Sequence, residues 1–367
     1  MIEMLRSLIH AGAIVASLAR TPAPTRHIFL IVLENQAYRT TFGRRSRAPY
    51  LARTLPAQGA LLARYYGVGH MSLDNYIALV SGQAPNEQTQ LDCVTYSEFQ
   101  LTSPRLNADG QALRAGCVYP RMVSTIADQI DAAGLTWRAY MEDLGNDPAR
   151  EGTGCAHPAI GAPDPTETAP VSVRDQYVAW HNPFYFFHTI VDDPARCAAH
   201  VVNLDRLTSD LARVDATPNY VFISPNVCHD GHDPICVDGT AGGLAAVDRF
   251  LRRWVPIITS SPAFRADGLL IITFDEADGP SAVDSAACCG ERPLPGQPRL
   301  PGGTGPGGGR IGAVLVSPFI RPGTVSMQPY NHYALLKSVE DLLGLPHLGY
   351  AADPRLRPLG PDVFTAR

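Results

Sequence analysis

The sequence predicts an α/β fold: a doubly wound, mostly parallel sheet with helices on both faces and loop insertions pinned by disulfides. Three observations lead there. Apolar runs without polar alternation recur along the chain, amphipathic helical patterns lie between or after them, and polar residues cluster where the runs end.

The runs are His27 to Leu33, Tyr220 to Ser224, Leu269 to Phe274 and Gly312 to Val316. Each is rich in Ile, Val, Leu or Phe, as parallel strands covered on both faces should be. Leu244, Val247, Leu251, Trp254 and Ile258 recur at helical spacing, and so do Leu335, Leu336, Val339, Leu342 and Leu343. With 367 residues, 45% of them hydrophobic, the chain can fill a large core, which excludes a disordered or fibrous protein. The formal net charge is -5 with both signs interspersed, so no nucleic-acid surface is expected.

Residues 25–367 read as one domain. Residues 1–24 place an arginine before a short apolar run ending in small residues, the pattern of a signal or leader segment, although Glu3 is atypical. The run is too short to span a bilayer, so no transmembrane anchor is expected in the mature chain. Eight cysteines fall in close neighbourhoods: Cys93 with Cys117, Cys155 with Cys197, Cys228 with Cys236, and Cys288 beside Cys289. Lacking any CxxC spacing, they read as disulfides rather than zinc ligands, though eight cysteines admit about 105 full pairings. Leader and cysteines together point to a secreted or cell-envelope protein. Segments 86–118 and 145–168 are rich in turn formers and read as insertions over the sheet edge. The Gly/Pro-rich segment 280–309 reads as a mobile flap or lid, and no Lys plus Ser/Thr follows its glycines as a P-loop requires.

Parallel sheets bind ligands beyond the carboxyl ends of their strands. Glu34 and Asn35 follow the first run, Pro225 to His232 the second, and Asp275 and Glu276 the third. In GHMSLDNYIALVSG, from Gly69 to Gly82, Ser72 precedes an apolar helical pattern and stands at or near a helix start. Backbone N–H groups there suit a phosphate oxygen, and Asn75 one turn on can donate its amide to the same group. Taken alone, Ser72 reads more readily as a helix N-cap and the Asp275–Glu276 pair as an ordinary turn.

Six blocks change that balance: HIFLIVLENQAYRTTFG, GHMSLDNYIALVSG, HNPFYFF, SPNVCHDGHD, ITFDEADG and YNHYALLKSVEDLLGL. In this order they resemble the bacterial phosphoesterase family of secreted acid phosphatases and phospholipases C, within the alkaline phosphatase superfamily. The resemblance implies an alkaline-phosphatase-like fold and a metal-dependent phosphoesterase with Ser72 as nucleophile. It implies a divalent metal held by Glu34, Asn35, Ser72, Asp275 and Glu276, although Glu276 stands where several relatives carry Asp. Oxygen donors fit Mg, Ca or Mn, and nearby histidines also admit Zn or Fe. The resemblance makes His70 and His181 phosphate contacts and Asp230 and His232 phosphate contacts, leaving-group proton donors or ligands of a second metal, with His232 the first choice for general acid and His332 a further candidate. The implied scheme passes through a phosphoserine, on a phosphate monoester that is a phosphoinositide or another small ester. In length the chain is nearer the compact acid phosphatases than the larger phospholipases C, so a phosphodiesterase or lipid-cleaving activity is the alternative. A non-catalytic binding protein of the same fold would be expected to have lost one of Glu34, Asn35, Ser72 or Asp275. A sulfatase is disfavoured because Ser72 lies outside a CxPxR or SxPxR context.

Overall fold

The computed structural model describes residues 25–364 apart from 152–154, 156 and 278–283, so the leader expected over 1–24 lies outside the described residues. Among the described residues ten strands follow in chain order: β1 (His27–Leu33), β2 (Ala60–Tyr66), β3 (Gln100–Leu101), β4 (Arg114–Ala115), β5 (Trp137–Met141), β6 (Val201–Asn203), β7 (Tyr220–Ser224), β8 (Gly268–Phe274), β9 (Ala313–Val316) and β10 (Thr324–Asn331). β3 and β4 form a small hairpin, and the other eight make one sheet in the order β10-β2-β9-β8-β1-β7-β5-β6. β1, β7 and β8 are buried along their whole length, which is why their sequences are apolar apart from His27, Ser224 and Thr273.

The first three apolar runs become parallel strands, but the fourth does not. β9 pairs antiparallel with both β8 and β2. Among the described residues between Phe274 and Ala313 no helix crosses over, and the chain returns along the neighbouring strand as a wide hairpin. All other pairings in the sheet are parallel. Both helical patterns are realised, in Gly243–Ser260 and His332–Leu343. The helix Ser72–Ser81 is buried on every side and packs against His332–Leu343.

The expected lid is a wall. In the described part of the Gly/Pro-rich segment, Gly308 N–H donates to Gly67 O and Gly67 N–H to Gly309 O, each at 3.0 Å. His70 N–H donates to Pro301 O, also at 3.0 Å. A Cβ on Gly308 would lie 2.2 Å from Gly69 O, so glycine here lets two backbones touch. All four cysteine pairs are disulfide-bonded.

Candidate active site

The register of β1 on β8 sets Leu33 beside Phe274, so the chain leaves both strands with Glu34 and Asp275 as neighbours. Their backbones are tied together: Asp275 N–H donates to Leu33 O at 2.8 Å, and Asn35 N–H donates to Asp275 Oδ1 at 2.9 Å. Asn35 adopts the left-handed region with φ 57°, which asparagine tolerates better than most residues and which turns its amide back over the strand end. From the other neighbour of β1, Asp230 O accepts from Glu34 N–H at 2.8 Å. The Cys228–Cys236 disulfide closes the loop that carries Asp230.

Ser72 opens its helix directly after Met71, whose φ of 106° is costly for a residue with a Cβ. Asn75 holds that backbone in place. Its Oδ1 accepts from Val68 N–H (2.8 Å) and Gly69 N–H (3.1 Å), and its Nδ2 donates to Gly69 O (3.0 Å) and Met71 O (3.1 Å). Asn75 was expected to donate to a phosphate. In this structure both its N–H bonds go to the loop, where they fix the turn that precedes Ser72. Fixed this way, Ser72 Oγ donates to Glu34 Oε2 at 2.6 Å, and Asn35 Nδ2 donates to the same oxygen at 3.0 Å.

The helix start is also less open than its sequence implied. Asp92 Oδ1 accepts from Leu73 N–H at 2.8 Å. Asp92 lies in the first insertion with φ 48°, next to the Cys93–Cys117 disulfide. Nothing in the spacing around Ser72 points to it; its one signal is an acidic residue beside a cysteine in a turn-rich insertion.

His181 is buried between two carboxylates, with Nε2 3.3 Å from Glu34 Oε1 and Nδ1 3.5 Å from Asp230 Oδ2. Its ring stacks on Tyr76 at 5.3 Å and 8°. Burial holds its pKa well below the ordinary histidine value, with His232 a lesser influence, so the ring is neutral. His70 and Glu276 form a second pair, Nδ1 to Oε2, and Glu276 Oε1 also accepts from Met71 N–H at 3.2 Å. Glu276, expected to be a metal ligand, is thus turned to the loop before Ser72 and to His70. His332 Nε2 donates to Asp275 O at 2.6 Å, which makes it a brace for that strand end. His232 stands at the rim, its Nδ1 2.8 Å from Asp233 Oδ1. The hydrogen bond to Asp233 is the main cause that pushes His232 up to about 9, so it is protonated at neutral pH. Met71, His181 and His232 line one pocket of about 180 Å³.

Four buried carboxylates, Glu34, Asp230, Asp275 and Glu276, crowd this end of the sheet. Burial raises all four pKa values, most strongly for Glu34 and Glu276, where mutual repulsion with Asp275 adds to it. Glu34 Oε1, Asn35 Oδ1 and Asp275 Oδ2 are buried without a hydrogen-bond partner. Among the described residues no three His, Cys, Asp or Glu side chains stand assembled as metal ligands. The set at Ser72 is of another kind: two carboxylates joined by an amide and a hydroxyl oxygen. Buried oxygens without partners and surplus negative charge are what a hard divalent cation would satisfy, so these residues fit one.

Known proteins resemble this chain over most of its length. The Phosphoesterase family model matches residues 44–346. The phosphate-repressible acid phosphatase of Penicillium chrysogenum is 29% identical over 299 residues, 80% of this chain and 54% of that protein. The phosphatidylinositol-3-phosphatase of Mycobacterium tuberculosis is 25% identical over 337 residues, 92% of this chain and 83% of that protein. The chain spans about half to three-fifths of the length of the fungal acid phosphatases it matches. A Vibrio parahaemolyticus protein of the alkaline phosphatase superfamily superposes with TM-score 0.54 at 12% identity, over 93% of this chain and 72% of that one. At that identity it bears on the fold alone.

Proposed function

The chain belongs to the Phosphoesterase family, and from that premise we propose that it hydrolyses phosphate monoesters through a phosphoserine on Ser72, with a divalent metal ion. One observation carries the reading: a serine hydroxyl fixed at a helix start, 2.6 Å from Glu34 Oε2 and beside buried oxygens that lack partners. Glu34, Asn35, Asp275 and Ser72 would hold the cation. When bound, it supplies positive charge that offsets the phosphate and favours the serine alkoxide. Oxygen donors suit Mg, Ca or Mn, and His181 within reach of Glu34 also admits Zn or Fe.

Ser72 Oγ attacks phosphorus in line with the ester oxygen, forming the O–P bond as the P–O bond to the alcohol breaks. His232, charged and at the pocket rim, donates the proton that the departing alkoxide requires. Water then attacks the phosphoserine and gives its proton to the now neutral His232, phosphate leaves, and Ser72 takes back the proton it passed to Glu34 Oε2 on attack. Asn75 and Glu276 keep the loop before Ser72 in its strained conformation, so the nucleophile is oriented before substrate arrives.

The names of the fungal and mycobacterial relatives support a phosphatase acting on small esters, a lipid head group included. Four disulfides support an oxidising, extracytoplasmic location. The reading is tested with p-nitrophenyl phosphate and bis-p-nitrophenyl phosphate, before and after chelation and metal return. Faster turnover of the monoester, lost on chelation and restored by metal, is expected. Preference for the diester would transfer the assignment to a phosphodiesterase, and full activity after verified metal removal would reject the metal.

A further inference from the structure

One of the four disulfides differs in kind from the others. Cys93–Cys117, Cys155–Cys197 and Cys228–Cys236 span sequence separations of 24, 42 and 8, and all six of these cysteines are buried. Cys288 and Cys289 are adjacent in sequence and both partly exposed. A bridge between neighbours closes no length of chain, so it takes little freedom from the unfolded state and adds little global stability. Its effect is local. It closes a small ring in which Cys289 has φ 68°, followed by Gly290 at φ 77°. Cys289 carries a Cβ, so the left-handed region is costly for it unless its surroundings keep it there.

The ring lies within a strap, residues 284–291, whose two ends reach the two acidic residues that follow β8. At one end Asp284 O accepts from His70 Nε2–H at 3.1 Å, and His70 is paired with Glu276. At the other, Glu291 N–H donates to Cys288 O at 3.4 Å, and Glu291 Oε1 accepts from Asn331 Nδ2 at 2.6 Å. Asn331 in turn caps the helix His332–Leu343 by accepting from Ala334 N–H at 2.9 Å, and His332 is the brace on Asp275 O. Asp275 and Glu276 are thus both supported from the strap that the ring shapes. We propose that the Cys288–Cys289 disulfide is a redox latch on this site: closed, it holds the supports of Asp275 and Glu276 in place, and opened by a dithiol it lowers activity without unfolding the protein. The inference rests on the phosphatase reading above only for its activity readout. A thiolate of the dithiol attacks one Sγ, the bond between Cys288 and Cys289 breaks, and a mixed disulfide forms. The second thiol of the reagent then displaces that cysteine and closes the reagent's own disulfide, so two electrons and two protons pass to the cysteine pair. Access selects this bridge, because the other six sulfurs are buried.

The test treats the intact protein with dithiothreitol under native conditions, removes the reagent and restores saturating metal, so that chelation by the dithiol is not the cause of any loss. Trapping with iodoacetamide and peptide mapping locate the thiols. Thiols on Cys288 and Cys289 are expected first, with the melting temperature of metal-free protein nearly unchanged. With them, kcat/KM on p-nitrophenyl phosphate should fall about 10- to 100-fold, the range for losing a support behind a metal site, and half-maximal thermal stabilisation should need more metal. Oxidised glutathione should restore both. Cys288→Ala/Cys289→Ala should match the reduced protein and ignore the dithiol. Full activity with both thiols open, or earlier opening of another bridge, overturns the inference and leaves the phosphatase reading intact. If the oxidised protein turns over no phosphate ester with any metal, the phosphatase reading falls and the metal titration decides the latch alone: a weaker response after reduction upholds it, and an equal response in both forms overturns it.

Discussion

If Ser72 were no more than the first residue of a helix, Ser72→Ala would cost about 1 kcal/mol or less and leave turnover near normal. As a nucleophile, its loss should lower kcat by about a thousandfold or more with the melting temperature nearly unchanged, and Ser72→Thr should retain part of the rate. Asp275 invites the opposite pairing of effects. Its carboxylate is buried among Glu34 and Glu276, whose pKa values burial raises and repulsion from Asp275 raises further. Asp275→Asn should therefore raise the melting temperature of metal-stripped protein while reducing the extra stabilisation that added metal gives, both read by calorimetry. Ser72, Glu34 and Asp275 were legible because each directly follows an apolar run or opens a helical pattern. The work of Asn75 was not, since it depends on where the backbone of residues 68–71 turns. Asp92 was hidden in an insertion whose path no local pattern fixes.

The Ser72 helix is held at its start from two directions, and each hold has a measurable worth. Asn75→Ala removes four hydrogen bonds from a fully buried position and strands the loop groups they satisfied. It should cost about 2–4 kcal/mol in denaturant unfolding, well above a surface substitution. Asp92→Ala removes only the bond to Leu73 N–H and should cost about 1 kcal/mol. Elements read well where burial is two-sided: β1, β7 and β8 have no exposed face, so their composition alone marks them. β2 is hard to read because Arg64 is exposed and Leu61 and Tyr66 are half-buried, and β10 because its middle is partly exposed and contains Pro329. The direction of β9 depends on the connection before it, which no strand composition reveals.

The whole molecule carries a buried acid away from the site that should mark its pH response. Glu340 accepts from Leu348 N–H at 2.9 Å, and burial pushes its carboxyl up to about 9. A carboxyl raised in the folded state contributes stability that is complete below the unfolded value near 4.3 and is lost as pH rises towards 9. Stability should therefore fall between pH 5 and pH 9, and Glu340→Gln should flatten that slope by about 1 kcal/mol or more. A slope unchanged in the variant would assign the pH response to other groups. The chain thus gathers strongly perturbed acids at the carboxyl ends of its parallel strands, where a nucleophile is also presented. Whether that arrangement works by double displacement is decided at phosphorus itself. An isotopically chiral phosphate monoester, turned over with an acceptor alcohol present, reports the stereochemical course. Two in-line displacements through Ser72 require net retention of configuration in the transfer product. Net inversion would mean direct attack by the acceptor and would contradict a phosphoserine intermediate.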